Sequence, residues 1–290
     1  MGRAERWIFA PESARRLAGV RIGLCLLLAY RLTARDYDAF AARHVRFVPH
    51  FYMDVFAHMP SPALASELQA LGIASALLAA LGVALRITLP VAFSCALILD
   101  GILNSAGRVL VRDALLMLCV ILIIAAGRAA GDAWAVRAPH RTTAGPRYGW
   151  PIRTAMLVIA LAYFFAAFQK WRYSGFAWVT SDNLRWILYA QPHPSGLALF
   201  VADRPVLAHL LAGGTLLLET CFPLILFVPA LRWLFIPAVV AMHISIQIAL
   251  RLDYSAQWLT VVIVFVDWPR VVDWARRTLA PVTAPREVAR

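Results

Sequence analysis

Apolar stretches long enough to cross a bilayer recur from one end of this 290-residue chain to the other. A helix needs ~20 predominantly apolar residues to span the hydrocarbon core. Coarse boundaries place such stretches at 17–34, 66–85, 89–106, 110–127, 151–171, 205–229, 232–250 and 255–268. Composition agrees: 61% of residues are hydrophobic and 15% charged, where a soluble domain carries roughly a quarter charged. The excess is spread over the whole chain, which leaves no room for a separate soluble domain of ~100 residues. The expected architecture is an all-α, polytopic membrane bundle of about eight helices over 1–268, followed by a cytoplasmic tail at 269–290. The basic start, MGRAERWIFAPESARRLAGVR, runs into the first apolar stretch without an A-x-A-like cleavage site, so it reads as a retained helix.

The third and fourth stretches are short and carry Asp100, Asn104, Arg108, Arg112 and Asp113. Short polar spans belong inside a bundle rather than against lipid. Residues 35–65 form a long aromatic-rich loop, and 128–150 an Arg-, Gly- and Pro-rich linker. Within 172–204, Ser181 is placed to cap a short helix, DNLRWILYA, that stops before Pro192, and GLALFVA follows. Both pieces suit a membrane interface.

The net charge of +12 is read as positive-inside anchoring and attraction to anionic lipid rather than as a nucleic-acid surface, because no basic stripe with interleaved aromatics occurs. Most basic residues fall on one side of the eight-span scheme. That places both termini inside, and 35–65 and 172–204 outside, in a bacterial inner membrane. Cys25, Cys95, Cys119 and Cys221 all sit in apolar runs and follow neither a disulfide framework nor a metal motif.

The chain has 27 arginines and a single lysine, Lys170. In an Ala- and Arg-rich, nearly Lys-free composition, any position content with a generic cation drifts to Arg. Lys170 did not. A guanidinium stays protonated in a protein, whereas a desolvated amine can lose its proton and act as a base. The plain alternative is a chance survivor that snorkels at a helix end. The aromatic run before it is expected to carry Phe164, Phe165 and Phe168 up one side of the helix, forming with Trp178 an enclosed pocket at the amine, with Asp182 as the acid to check. Glu219 and His243 lie at similar expected depth on consecutive spans and are expected to face the bundle, either close enough to pair or sharing a partner, as a functional site or as a structural hydrogen bond. His243, Gln247 and Arg251 form one polar stripe at helical spacing.

Four segments give the chain a resemblance to the HTTM family (horizontally transferred transmembrane domain), the membrane region shared with vitamin K-dependent γ-glutamyl carboxylase. YFFAAFQKWRYSGFAW is similar to the family's aromatic helix, lysine and following tryptophan, carried by Lys170 and Trp178. LNSAGRVLVRDALLML resembles its Asn/Arg turn and helix-opening Asp, carried by Asn104, Arg108 and Asp113. LLLETCFPLILF puts Glu219 on an acidic position, and AMHISIQIALRLDY puts His243 on a late-helix histidine. The resemblance covers roughly 1–268. It implies a membrane enzyme with Lys170 as base, His243 assisting, and a lipophilic substrate such as a reduced, vitamin K-like quinone near Trp178, Phe168, Asn104, Arg108, Asp113, Glu219 and Gln247. No metal is implied. Ser105 stands where the carboxylases carry His, Ala167 stands where they carry Gly before the lysine, and the large extramembrane domain that handles their peptide lies outside the resemblance. The implied partners are therefore membrane lipid and a lipophilic small molecule, with room for a protein or peptide partner and none for nucleic acid. Two other readings stay open: a non-enzymatic membrane partner in toxin maturation or immunity, and a small-molecule transporter built on Glu219 and His243.

Overall fold

A computed structural model describes residues 2–43, 46–49, 51–105, 114–136 and 144–279. Its described residues are all-helical. They form α1 (Arg3–Ile8), α2 (Ala14–Thr33), α3 (Tyr37–Ala41), α4 (Pro62–Ala80), α5 (Leu85–Asn104), α6 (Ala114–Ala126), α7 (Pro146–Ser174), α8 (Ala177–Thr180), α9 (Asn183–Tyr189), α10 (Gly196–Ala202), α11 (Pro205–Cys221), α12 (Arg232–Leu250), α13 (Ser255–Phe265) and α14 (Trp268–Leu279). Every apolar stretch expected to span is helical, but the eight are not equivalent. Five stretches are long and apolar enough to cross a membrane: α4, α5, α7, α11 with its 3₁₀ extension, and α12 with the turn before it. A sixth is possible if α13 and α14, bent by 77° at their junction, count as one span.

The other segments fall short for separate physical reasons. α13 has 11 residues, so at ~1.5 Å per residue it does not reach across ~30 Å alone, and α6 is described over 13 residues. α2 is long enough at 20 residues, but it carries Arg15, Arg16, Arg21 and Arg31. It tolerates them because it runs through the middle of the bundle, packed on α4, α6, α7, α13 and α14. Little of it has to be apolar for lipid. At the other extreme, only 11% of the 229–250 stretch is buried, so α12 stands at the periphery with apolar side chains on nearly all faces.

Local chemistry sets the boundaries. Ser13, Ser61 and Ser195 accept hydrogen bonds from backbone N–H groups in the first turns of α2, α4 and α10, and Pro62 and Pro205 open α4 and α11 where no N–H is required. The expected cap at Ser181 is displaced: Ser181 closes α8, and Asp182 precedes α9. Together α9, α10 and the start of α11 bury Leu188, Ala198, Val201, Ala202 and Ala208 in a small core of their own. Part of the stretch expected to be a plain tail is helical, since α14 packs back on α2. The approach is close at Gly19, where an added Cβ would lie 2.9 Å from the Trp268 Cβ.

The loop before α2 also lies directly on α7. A Cβ at Gly149 would fall 1.9 Å from the Ala10 carbonyl oxygen, and backbone atoms cannot rotate away as a side chain can. Gly149→Ala is therefore expected to cost about 1–3 kcal/mol, measured as a lower thermal midpoint in detergent. An unchanged midpoint would show that the 10–12 segment moves freely off α7.

Candidate functional site

α7 presents two different faces as it approaches its C-terminal end. Tyr163 and Ala167 are buried, and Lys170 follows at the next helical step, so the three share one inward stripe at i, i+4 and i+7. Phe164, Phe165 and Phe168 lie on the exposed side, where their rings pack on one another. The expected aromatic wall is thus corrected: Phe168 is 44% exposed and belongs to the stripe that turns away from the amine. Trp178 meets the expectation. The Lys170 ammonium sits 5.4 Å from its ring centre, within cation–π range.

The turn after α7 makes that contact possible. Gly175 has φ +54°, a conformation that glycine adopts without penalty. Its N–H donates to the Lys170 and Trp171 carbonyls, 3.2 and 3.0 Å away. These bonds satisfy the end of the helix while the chain folds back into α8 and carries Trp178 over the lysine.

The partner of Lys170 comes from α11. That helix buries Ala208, Ala212, Leu216 and Glu219, a stripe of small residues ending in a carboxylate. Lys170 Nζ donates to Glu219 Oε2. The lysine side chain is 19% exposed and Glu219 is 7% exposed, so the pair lies at the rim of the buried interior. Beside it the Trp171 Nε1–H donates to Thr220 Oγ1 at 3.1 Å. Asp182, the acid expected to matter, pairs instead with Arg185 at 2.9 Å, and His209 is 3.8 Å away.

His243 is 5% exposed and faces the bundle interior. Both it and Glu219 face the interior, as expected; the hydrogen-bond partner of His243 is Tyr163, whose hydroxyl is 2.9 Å from Nε2. The Tyr254 ring lies 5.4 Å from the imidazole, centre to centre. Nδ1 has no hydrogen-bond partner among the described residues, although it is buried and able to donate or accept. Gln257 stands next to the Tyr163 hydroxyl. Seven residues of helix separate Tyr163 from Lys170, about 10 Å. The Lys170 charge nevertheless acts on His243, and that of Glu219 on Tyr163. The arrangement is two neighbouring pairs on one stripe of α7, one ionic and one neutral.

The remaining expected residues are distributed more widely. Gln247 lies one turn beyond His243 but is exposed. Asn104 ends α5, which packs chiefly on α3, α4 and α6. Arg108 and Asp113 lie outside the described residues. Ser105, where the carboxylases have His, is fully buried, and its hydroxyl donates to the Gly101 carbonyl at 2.7 Å. Tyr163 is the member of this cluster that sequence reasoning missed. Its signal was present: a lone polar-tipped ring in AYFFAA, seven positions before the lysine, needs a partner once buried.

Chemically, the Lys170–Glu219 pair can take up one proton in either of two forms. If the shared proton rests on lysine, the carboxylate accepts; if it rests on glutamate, the free amine accepts. Either way the neutral pair becomes singly positive, which suits a newly formed oxyanion beside it. No family model matches this chain, nor does any curated protein or solved structure.

Proposed function

We propose that the chain is an HTTM-like, multi-pass protein of a bacterial inner membrane, and that its Lys170–Glu219 pair removes a proton from a lipophilic substrate such as a reduced quinone. The single observation that supports this most is the pairing of the lone lysine, at the end of an apolar helix, with a carboxylate that is 7% exposed. The substrate O–H proton passes to the pair, the oxygen keeps the bonding electrons, and the resulting cation holds the oxyanion. Trp178 supplies a flat aromatic surface at the same amine. His243, with one ring nitrogen bonded to Tyr163 and the other unpartnered, is the second proton-handling group.

The proposal is tested by extracting lipids that copurify with the wild type and with Lys170→Ala, and by mass spectrometry of the extracts. A quinone or other acidic lipophile enriched in the wild type and lost from the variant is expected. Identical extracts, together with no turnover of a short-chain reduced naphthoquinone in detergent, would leave the non-enzymatic partner as the better reading.

In the same scheme α2, α6 and α13 complete eight crossings as inner members of the bundle, with both termini cytoplasmic and α8–α10 outside. Exposed aromatics support two interfacial belts: Tyr173, Phe176 and Trp186 at one end, Trp233 and Trp274 at the other. With the native cysteines removed, single cysteines at Ser181 and Arg277 are expected to react with a membrane-impermeant maleimide from opposite sides. Labelling of both from one side would refute the arrangement. Arg141, in the linker expected to be cytoplasmic, lies outside the described residues.

A further inference from the structure

At the end of the bundle opposite Lys170, two arginines converge on one carboxylate, and a third stands nearby. Glu12, in the turn before α2, accepts from Arg16 at 2.6 Å and from Arg153 of α7 at 2.9 Å. Arg232, which opens α12, makes no ion pair with Glu12; its guanidinium lies 5.7 Å over the Phe265 ring, close enough to feel the charges of Arg16, Arg153 and Glu12. From Arg153 to Lys170 is about 25 Å along α7, so this cluster lies near the other face of a bilayer from the lysine. Its charges do not balance, since two guanidinium cations share one anion and a third stands beside them.

The donors do not balance either. Arg16 is only 8% exposed. Its Nε and that of Arg153 are buried without a hydrogen-bond partner among the described residues. Arg232 uses its Nε on the Ile225 carbonyl at 3.2 Å, and its two terminal nitrogens donate to no described residue. Burying unpaired guanidinium donors and a surplus of positive charge is costly. A bundle needing only a structural ion pair at this point would be served by Glu12 and one arginine.

We propose that Arg16, Arg153 and Arg232 form a binding site for a phosphate-type dianion or monoanion at this end of the bundle, with an anionic phospholipid headgroup as the occupant that fits its place. A phosphate presents several acceptor oxygens to planar guanidinium forks, and it adds the negative charge that Glu12 alone does not supply. Basic pockets between helix ends at the membrane surface suit such headgroups. The site is independent of the Lys170 chemistry and survives the failure of that reading.

The test measures the thermal midpoint of the full chain in a neutral detergent with added phosphatidylglycerol, phosphatidylcholine or inorganic phosphate. Phosphatidylglycerol is expected to raise the midpoint by several degrees, and phosphatidylcholine is not. A rise with inorganic phosphate as well would assign the site to the free anion. In Arg232→Gln the apparent affinity is expected to fall about tenfold, the loss of one charge-assisted hydrogen bond, while Arg232→Lys keeps most of it. Removing exposed charge in Arg276→Gln/Arg277→Gln leaves the shift unchanged. The proposal is overturned if neither phosphate source moves the midpoint, if Arg232→Gln responds like the wild type, or if the Arg276/Arg277 variant loses as much as Arg232→Gln.

Discussion

Lys170→Arg is expected to insert and accumulate like the wild type and to lose turnover by about 10²–10⁴-fold, the range associated with a positioned general base. Arg keeps the positive charge, reaches a similar distance and can still pair with Glu219. What it cannot do is yield its proton, so the pair loses the form in which the amine is free and keeps only the carboxylate, a weak base when fixed beside a permanent cation. A purely structural ion pair predicts the reverse, because Arg commonly improves a lysine–carboxylate contact. Glu219→Gln separates the two roles from the other side. It leaves the Lys170 charge without its anion near the buried interior, where breaking a pair costs about 3–5 kcal/mol; the 19% exposure of the lysine puts the expected loss at the lower end. The double variant Lys170→Met/Glu219→Leu removes both charges, and is expected to recover stability without recovering turnover. Full activity in Lys170→Arg would end the catalytic reading.

The sequence carried the helices better than the contacts between them. Continuous apolar runs dictate helix, and all eight produced one. Whether a helix crosses a bilayer unaided depends on length and on what surrounds it, and periodicity shows neither. α2 is buried enough to keep Arg21 and Arg31, while α13 is simply short. Lys170, Glu219, His243 and Trp178 were each legible as unusual residues in apolar surroundings. Their partners were not. Glu219 was set at mid-span by assuming one uniform helix over 205–229. The α-helix instead ends at Cys221 and passes through a 3₁₀ turn at Phe222–Leu226, opened by Pro223. Lys170 takes Glu219, and Tyr163, two turns further in on α7, takes His243; spacing within single helices shows neither contact. The aromatic face failed for a simpler reason. Phe164 and Phe168 do share a face, but Lys170 is in register with Tyr163 and Ala167.

Arg21 is expected to have the largest effect on stability of any single side chain in the bundle. It is fully buried in the middle of α2, and the charge pattern alone marked it only as one more residue on the inner side. Its guanidinium donates to the Ala80 carbonyl at 3.2 Å and to the Ala130 and Trp134 carbonyls. Ala80 is the last residue of α4, so its carbonyl has no acceptor role within the helix, and a cation there also meets the negative end of the helix dipole. The other two carbonyls hold the 129–136 turn against the same place. At Gly82 (φ +78°) the α4–α5 turn comes so near Ala135 that a Cβ would lie 2.2 Å from its side chain. One side chain therefore satisfies backbone groups from two segments far apart in sequence. Arg21→Met keeps most of the apolar stem and strands all three carbonyls. At about 1–3 kcal/mol for each unsatisfied buried group, less the relief of no longer burying a guanidinium, the net loss is expected to be about 3 kcal/mol or more. It would be read as a lower thermal midpoint and reduced accumulation in the membrane. Arg21→Lys, with a compact ammonium that cannot span the same three oxygens, should fall between the two. A midpoint for Arg21→Met indistinguishable from the wild type would mean that the carbonyls find other donors once the arginine is gone, and that α2 organises the bundle through packing alone.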